Sequence, residues 1–467
     1  MKSEAAWKQQ AETMERYRKE QPEMLLNAVK KTEAEIFSEI GIYNLPADRT
    51  QAYVRLFPTD FIVEEKISSG DVIKVNAESI SSSDRKERDN TVYANMVKIG
   101  IPTNVAIERL ADTYDFDINK IGYAGLKDAD ALTAQLVTFS GGRMTIEEIE
   151  SKKTANLVLT NLHYGTHSLA PGDLTGNVFT ITLRTRGQIN ETLFRVKAEL
   201  IAKFGVLNYF QSQRFGGLRL ISHKLGRLIL QGEYGKAVRF YLFTTSENDI
   251  PLVVKIRKAA EQSFPDWEKI EKIFSELPYT FSNELKIARY LQGNHDNPVG
   301  ALLEVKDQTQ LWIYAYSSLL FNKHLSVFAK TNGVVREKIP TALSSDPADQ
   351  RLYQKYFEED GTLGWSKNLT PFKFVQIKKR LIDGRLWPTD LAYRFFDGGV
   401  VLKFGLGKGS YATTLMSNFF ELCLGLPIPE WVNKSEIDPK SMFQEGSLDG
   451  IKDVLKDYLY SKIESEL

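Results

Sequence analysis

The stretch GYAGLKDADALTAQLVTF, residues 122–139, joins a glycine-containing loop to a β-strand pattern. Its second half, residues 132–139, has the β-branched and apolar content of a strand. Gly125 permits a close backbone approach in the loop. Lys127 and Asp128 place opposite charges at the start of the strand, where a nearby cation can keep a carboxylate ionised. The loop therefore predicts either a functional carboxylate at Asp128 or an ordinary surface turn with two solvated charges.

Similar strand patterns occur on both sides of this stretch, at residues 61–65, 91–97, 178–183 and 399–404. Helical spacing of apolar residues lies between some of them, after Pro102 and again after Asn190. Strands and helices alternate without a regular βαβ period. This order predicts an α+β fold with a central sheet.

Changes in composition divide the chain into five predicted segments. Residues 217–385 are mainly helical in pattern and are interpreted as an insertion between the first and last strands of one sheet domain. The segments are an N-terminal helical extension at 1–40, the first part of the sheet domain at 41–216, the insertion at 217–385, the last strands at 386–430, and a tail with an amphipathic helix at 431–467.

Length and composition indicate an ordinary globular protein. The chain has 467 residues, enough for about three folding units, with 42% hydrophobic and 26% charged residues. The first residues contain no apolar signal core, and no apolar stretch approaches the roughly 20 residues that span a bilayer. We therefore expect a cytoplasmic protein with no membrane partner.

The sequence contains no recognisable cofactor or metal motif. Cys423 is the single cysteine, so neither an internal disulfide nor a thiolate zinc site is expected. The five histidines form no His-Glu-x-x-His pair. Residues 404–414 are rich in glycine but lack the spacing of a phosphate-binding P-loop. We predict that the protein uses no cofactor and no metal.

Charge is balanced overall but uneven along the chain. Sixty Lys and Arg residues match sixty Asp and Glu residues, so any nucleic-acid site must be a local patch. Residues 200–232 contain five basic residues and no acidic residue. Four of them form a predicted phosphate patch, with a plain solvated face as the alternative: Arg214, Arg219, Lys224 and Arg227.

Residues 208–217, NYFQSQRFGG, interleave aromatic rings with amides and an arginine. These side chains can bind an unstacked base, because a ring can stack on it, an amide can hydrogen-bond to its edge and a cation can contact phosphate. The alternative is an aromatic strand packed in the core, with Arg214 at its exposed end.

Taken together and in order, these segments resemble the TruD family of tRNA pseudouridine synthases. The resemblance spans roughly residues 53–430. The motifs that carry it are PTDFIVEE at 58–65, AGLKD at 124–128 with Thr133 and Gln135, GNVF at 176–179 with Arg184, NYF and QRFG at 208–216, and GSYAT at 409–413.

The resemblance implies a catalytic domain with a mixed, largely antiparallel sheet flanked by helices, plus an inserted α/β TRUD domain. It implies isomerisation of uridine to pseudouridine, mainly at position 13 of tRNA in the D arm. Asp128 would be the catalytic carboxylate. Arg55 would be its supporting cation in preference to Lys127.

The resemblance also implies the residues that bind the substrate. Phe61, Phe210 and Tyr411 would stack on the flipped base, and Asn208 would read its polar edge. The expected partner is tRNA or another structured RNA, and the expected state is a monomer.

Two other functions remain open from the residues alone. One is a non-catalytic RNA-binding or RNA-folding protein on the same scaffold. The other is a cofactor-free hydrolase of nucleic acid, which would need a second carboxylate, and Asp130 is the candidate.

Overall fold

The structure is a computed structural model that describes residues 3–26, 31–77, 80–86, 88–332 and 338–459. Contacts within the chain define two compact units. The helical unit contains Met1–Ala47 and Val206–Leu386, and the sheet unit contains Asp48–Gly205 and Trp387–Leu467.

The strands are named in chain order. They are β1 (Thr50–Val54), β2 (Phe61–Ile67), β3 (Thr91–Ile99), β4 (Ile121–Tyr123), β5 (Leu132–Ser140), β6 (Leu157–Gly165), β7 (Leu174–Thr185), β8 (Val206–Leu207), β9 (Lys338–Pro340), β10 (Leu381–Asp383), β11 (Arg385–Leu386), β12 (Thr389–Phe396), β13 (Gly399–Gly407) and β14 (Phe420–Cys423).

The α-helices are named in the same way. They are α1 (Ser3–Glu20), α2 (Glu33–Glu39), α3 (Thr103–Tyr114), α4 (Ile146–Glu150), α5 (Glu191–Phe204), α6 (Ser222–Leu230), α7 (Tyr234–Phe243), α8 (Pro251–Gln262), α9 (Trp267–Phe274), α10 (Ser282–Gly293), α11 (Pro298–Glu304), α12 (Lys306–Asn332), α13 (Pro347–Arg351), α14 (Gln354–Glu359), α15 (Trp365–Asn368), α16 (Ala412–Met416) and α17 (Asp449–Leu455).

The sheet unit is built on one mixed sheet with the strand order β12-β13-β7-β2-β5-β3-β6. Strand β1 pairs with β7 and β14, and β4 pairs with β5. Only β1–β14 and β2–β5 are parallel among the described pairs, and the others are antiparallel. The predicted α+β fold with a mixed, largely antiparallel sheet is therefore confirmed.

The helical unit packs around the long helix α12. Helix α6 approaches α12 so closely that a Cβ on Gly226 would stand 2.1 Å from the carbonyl oxygen of Trp312. Two short antiparallel ladders, β8–β11 and β9–β10, accompany the helices. Among the described helices, none combines the length and the apolar character that crossing a membrane requires.

The N-terminal helix α1 packs on the helical unit. The Tyr17 hydroxyl donates a hydrogen bond of 2.6 Å to Glu276, which raises the pKa of this tyrosine to about 12. The Trp7 ring meets the Tyr279 ring edge-on at 4.8 Å. The described residues before Asp48, 3–26 and 31–47, thus group by contact with the unit that contains the insertion.

Two boundaries differ from the predicted segments. Residues 206–216 group with the helical unit, because Asn322 on α12 accepts from the amide of Phe210 and donates to its carbonyl oxygen. The predicted C-terminal helix spans only Asp449–Leu455 and is followed by a 3-10 turn at Lys456–Tyr458. The rest of the predicted tail, residues 460–467, lies outside the described residues.

Candidate active site

The site is built where two parallel strands begin side by side. Strand β2 pairs in parallel with β5, and Ile62 lies opposite Leu132. Parallel strands start at the same edge of a sheet, so the connections that enter them are neighbours. One connection is the turn at residues 55–60, and the other is the loop at residues 124–131.

Arg55 and Asp128 meet across these two connections. The Arg55 Nη2 donates to Asp128 Oδ2 at 2.9 Å, and its guanidinium lies 4.0 Å from the centre of the Phe61 ring. Arg55 has φ 63°, a left-handed conformation that costs energy in a non-glycine residue and that marks functional sites when the surroundings enforce it. The side chains are 18% and 34% exposed. The carboxylate is thus held by a cation and remains accessible.

A buried ion pair pins the turn that carries Arg55. Arg184 on β7 donates to Asp60 Oδ2 at 2.5 Å, and both side chains are fully buried. The same carboxylate oxygen accepts from the amide of Phe57 at 2.9 Å. The turn between Arg55 and Phe61 is therefore fixed from within the sheet unit.

Lys127 turns away from the Asp128 carboxylate. Its ammonium lies 2.6 Å from Glu65 on β2 and donates to Asn177 on β7 at 2.8 Å. Both charged groups of this pair are almost fully buried. The ion partner of Lys127 is Glu65, and the role of Lys127 as a supporting charge for Asp128 stays a prediction. Lys127 anchors the loop to the sheet.

Side chains also fix the backbone of the loop. Thr103 accepts from the amide of Lys127 at 2.9 Å and donates to Gln135, which in turn donates to the carbonyl of Gly125 at 3.1 Å. Gly122 on β4, just before the loop, has closer contacts than Gly125. A Cβ on Gly122 would stand 2.4 Å from Thr138 Oγ1, whereas one on Gly125 would meet only the Leu174 side chain at 3.6 Å.

Lys98 is a residue of the site that the motif analysis did not single out. It lies on β3 and is fully buried. Its ammonium donates to the carbonyl oxygens of Ile101 and Asp128, each at 2.8 Å. Burial lowers the pKa of Lys98 to about 7. The sequence offered one indication of a special role, because Lys98 is a charged residue flanked by the apolar Val97 and Ile99 in a strand pattern.

Two of the predicted base-stacking residues lie in the sheet unit with Asp128. Phe61 opens β2 and is nearly fully buried, packed edge-on against Phe179 at 6.3 Å. Arg55 covers one face of the Phe61 ring. Tyr411 is half-buried and stands before α16, after the turn that ends β13. Their contact with a base stays a prediction.

The other two predicted base contacts, Asn208 and Phe210, lie in the helical unit. The residues after β8 form 3-10 turns at Ser212–Phe215 and Gly217–Arg219 rather than a continuous strand. The Asn208 amide donates to the carbonyl of Asp383 at 3.0 Å. Phe210 is 8% exposed and packs edge-on against Phe321. The roles of Asn208 and Phe210 stay predictions, and stacking on Phe210 would require its packed ring to become accessible.

The predicted phosphate patch is largely engaged within the helical unit. Arg219 is mostly buried, donates to the carbonyl of Thr244 at 2.7 Å and lies 3.8 Å from Asp249. The other three residues also have partners, as follows: Lys224 is 2.5 Å from Glu39, Arg227 is 3.4 Å from Asp360, and Arg214 lies over the Phe210 ring. Arg219 thus has partners within the protein, and its contact with phosphate stays a prediction.

Salt dependence of tRNA binding separates these residues. We expect Arg219→Ala to leave unchanged the slope of the logarithm of the tRNA association constant against the logarithm of the salt concentration. The reason is that the guanidinium already has protein partners. A residue that does contact phosphate should change this slope by about 1 when replaced by Ala. Binding titrations at several salt concentrations measure the slope, with the half-exposed Lys224→Ala as the matched comparison. A change of about 1 in the slope for Arg219→Ala would show that Arg219 contacts phosphate.

The sheet unit thus carries an accessible carboxylate, Asp128, paired with Arg55, and comparison with known proteins identifies the family. The family model described as tRNA pseudouridine synthase D (TruD) matches residues 38–341. This match covers well over half of the chain. The protein belongs to the TruD family, which confirms the family predicted from the motifs.

Similar proteins agree with this membership. The "tRNA pseudouridine synthase D" of Aquifex aeolicus is 27% identical over 53% of this chain, and the match spans 63% of the Aquifex protein. A Methanocaldococcus jannaschii protein named "Probable tRNA pseudouridine synthase D 1" is 25% identical over 80% of this chain and 96% of its own length. The crystal structure of a Methanosarcina mazei protein assigned to TruD aligns with a TM-score of 0.60 at 20% identity, over 83% of this chain and 98% of that one.

Proposed function

We propose that this protein is a pseudouridine synthase that isomerises a uridine of tRNA, at position 13 in the D arm, with Asp128 as the reacting carboxylate. Membership of the TruD family and the names of its relatives support the reaction and the RNA class. We further propose that it acts as a monomer in the cytoplasm, where it would meet tRNA.

The observation that carries the proposal is the Asp128 carboxylate itself. It is held by Arg55 at 2.9 Å and is still one-third exposed, on a loop that Lys127, Thr103 and Lys98 fix to the sheet. A carboxylate that attacks a sugar carbon or removes a proton must be ionised, oriented and reachable. The ion pair with Arg55, the anchored loop and the exposure of the side chain support this role for Asp128.

The reaction rearranges bonds within one nucleotide. The C1′–N1 bond breaks, and uracil leaves with the electron pair of that bond while Asp128 either bonds to C1′ or takes a proton from the sugar. Uracil then turns over and C5 bonds to C1′. On the first route the Asp128–C1′ bond breaks in this step, and on the second route Asp128 returns the proton to the sugar. The C5 proton then leaves, and N1 is protonated. Atoms and electrons balance within uridine, so no oxidant or reductant enters.

The direct test uses purified protein and an unmodified tRNA transcript. We expect a pseudouridine at position 13, mapped by chemical labelling and reverse transcription. Binding without any pseudouridine would favour the non-catalytic RNA-binding protein. Strand cleavage or free uracil in place of pseudouridine would favour a hydrolase.

We also predict that chelators leave the rate unchanged, since each proposed step uses only side chains of the protein. The rate should stay within about twofold in excess EDTA, because no step draws on a bound metal. The measurement needs a tRNA whose fold persists without divalent ions, checked by its melting curve. A rate that EDTA removes and a divalent ion restores, with the tRNA still folded, would refute this prediction.

A further inference from the structure

Lys98 is an unusual residue because its charge lies inside the sheet. Its partners on the neighbouring strands are Thr133 on β5 and Leu157 on β6, neither of which carries a charge. Burying an ammonium group costs folding free energy unless its hydrogen bonds are satisfied. A lysine in this position therefore requires a function that an apolar residue would not supply.

The ammonium connects two backbone segments of the site. It donates to the carbonyl of Ile101, just before α3, and to the carbonyl of Asp128 in the loop, both at 2.8 Å. Helix α3 begins at Thr103, whose hydroxyl accepts from the Lys127 amide. Lys98 thus joins the start of α3 to the residue that carries the reacting carboxylate.

We infer that Lys98 is a positioning residue for the proposed reaction, and that its ammonium fixes the main chain of Asp128 and adds positive charge near this residue. The inference rests on the proposed function of Asp128. Arg55 then holds the carboxylate from the side-chain end, while Lys98 holds the same residue from its backbone.

Protonation of Lys98 should consequently be visible in the reaction. The ionisable groups that act on it are Asp128, which raises its pKa, and Lys127, which lowers it, but burial has the largest effect and brings the pKa to about 7. The ammonium form therefore declines as pH rises through about 7. The rate constant for isomerisation should decline with it, since the neutral amine adds no positive charge at Asp128.

The same pKa predicts the opposite trend for stability. The unfolded chain holds the lysine proton up to a pKa near 10.4, whereas the folded protein releases it near 7. Because the unfolded state binds more protons in this window, the contribution of Lys98 to stability rises as pH rises from about 7 to about 10. Activity and stability are thus expected to move in opposite directions, which a purely structural lysine would not produce.

The experiment compares single-turnover rates of the wild type, Lys98→Met and Lys98→Arg on one tRNA between pH 6 and pH 9. We expect the wild-type rate to fall about fivefold or more across this range, with a midpoint near 7. Lys98→Met should be about tenfold slower than the wild type at pH 6 and independent of pH. Lys98→Arg stays charged, so it should keep more of the rate than Met and show no decline. Affinity for tRNA should be unchanged in both, because Lys98 is buried.

Lys440→Met is the matched control. Lys440 is another buried lysine of the sheet unit, and its ammonium lies 2.5 Å from Glu64. This variant should lose stability but keep the wild-type decline with pH. A wild-type rate that does not change between pH 6 and pH 9 would overturn the inference even if Lys98→Met failed to fold, and so would a Lys98→Met rate equal to that of the wild type.

Asp128→Asn in the same assay separates the two claims. If Asp128→Asn is inactive while Lys98→Met behaves as the wild type, only the role of Lys98 is rejected. If Asp128→Asn is active, the proposed reaction at Asp128 is rejected, and the role of Lys98 is rejected with it.

Discussion

Asp128→Asn should abolish isomerisation, with the single-turnover rate falling by at least about 10⁴-fold, as removal of a reacting group typically does. Asn has the same size as Asp and can still accept a hydrogen bond from Arg55, so the loop should keep its conformation. Affinity for tRNA should stay within a few-fold. Rates and filter-binding constants on one transcript measure the two effects separately.

Asp130→Asn is the matched control for this change. Asp130 lies in the same loop, two residues after Asp128, and is the second carboxylate that a hydrolase would need. We expect it to retain a rate within a few-fold of the wild type. An active Asp128→Asn protein would contradict the assignment of Asp128 as the reacting carboxylate. Equal losses of rate in Asp128→Asn and Asp130→Asn would indicate that two carboxylates take part instead of one.

Lys127→Met should lower the free energy of unfolding by about 3–5 kcal/mol, because it leaves a buried carboxylate without its cation. Glu65 is fully buried and Lys127 nearly so, so solvent cannot replace the lost partner. Urea denaturation followed by circular dichroism gives this difference. The activity should fall as well, since the loop that carries Asp128 loses its anchor to β2 and β7.

The double variant Glu65→Leu/Lys127→Met tests whether the loss of stability in Lys127→Met comes from the unpaired Glu65 carboxylate. Replacing both members of a buried pair by apolar residues removes the unpaired charge, so much of the lost stability should return. The coupling between the two changes is then measured by a double-mutant cycle. Additive losses would mean that Lys127 stabilises the loop by something other than its ion pair with Glu65.

Much of the sheet could be predicted from local patterns, because each strand carries its own apolar and β-branched signal. The predicted strands at 61–65, 91–97 and 178–183 each lie within an observed strand, β2, β3 and β7. The pairing of Arg55 with Asp128 came from the family motifs and occurs at 2.9 Å. Spacing alone could not give it, since 72 residues separate the two positions in the chain.

Contacts that depend on distant parts of the chain were harder to predict. Lys127 stands beside Asp128 in sequence, yet its partner Glu65 comes from a strand that only the parallel pairing of β2 and β5 brings near. Residues 208–217 have the aromatic content of a strand, but the left-handed conformation of Gly216 ends one 3-10 turn and begins another.

The most direct test of the central claim is a map of pseudouridines in the tRNA of cells that lack this protein, complemented by either the wild type or Asp128→Asn. We predict that pseudouridine at position 13 of tRNA disappears without the protein, returns with the wild type and does not return with Asp128→Asn at equal expression. An unchanged pseudouridine map in the cells that lack the protein, or full restoration by Asp128→Asn, would contradict the account.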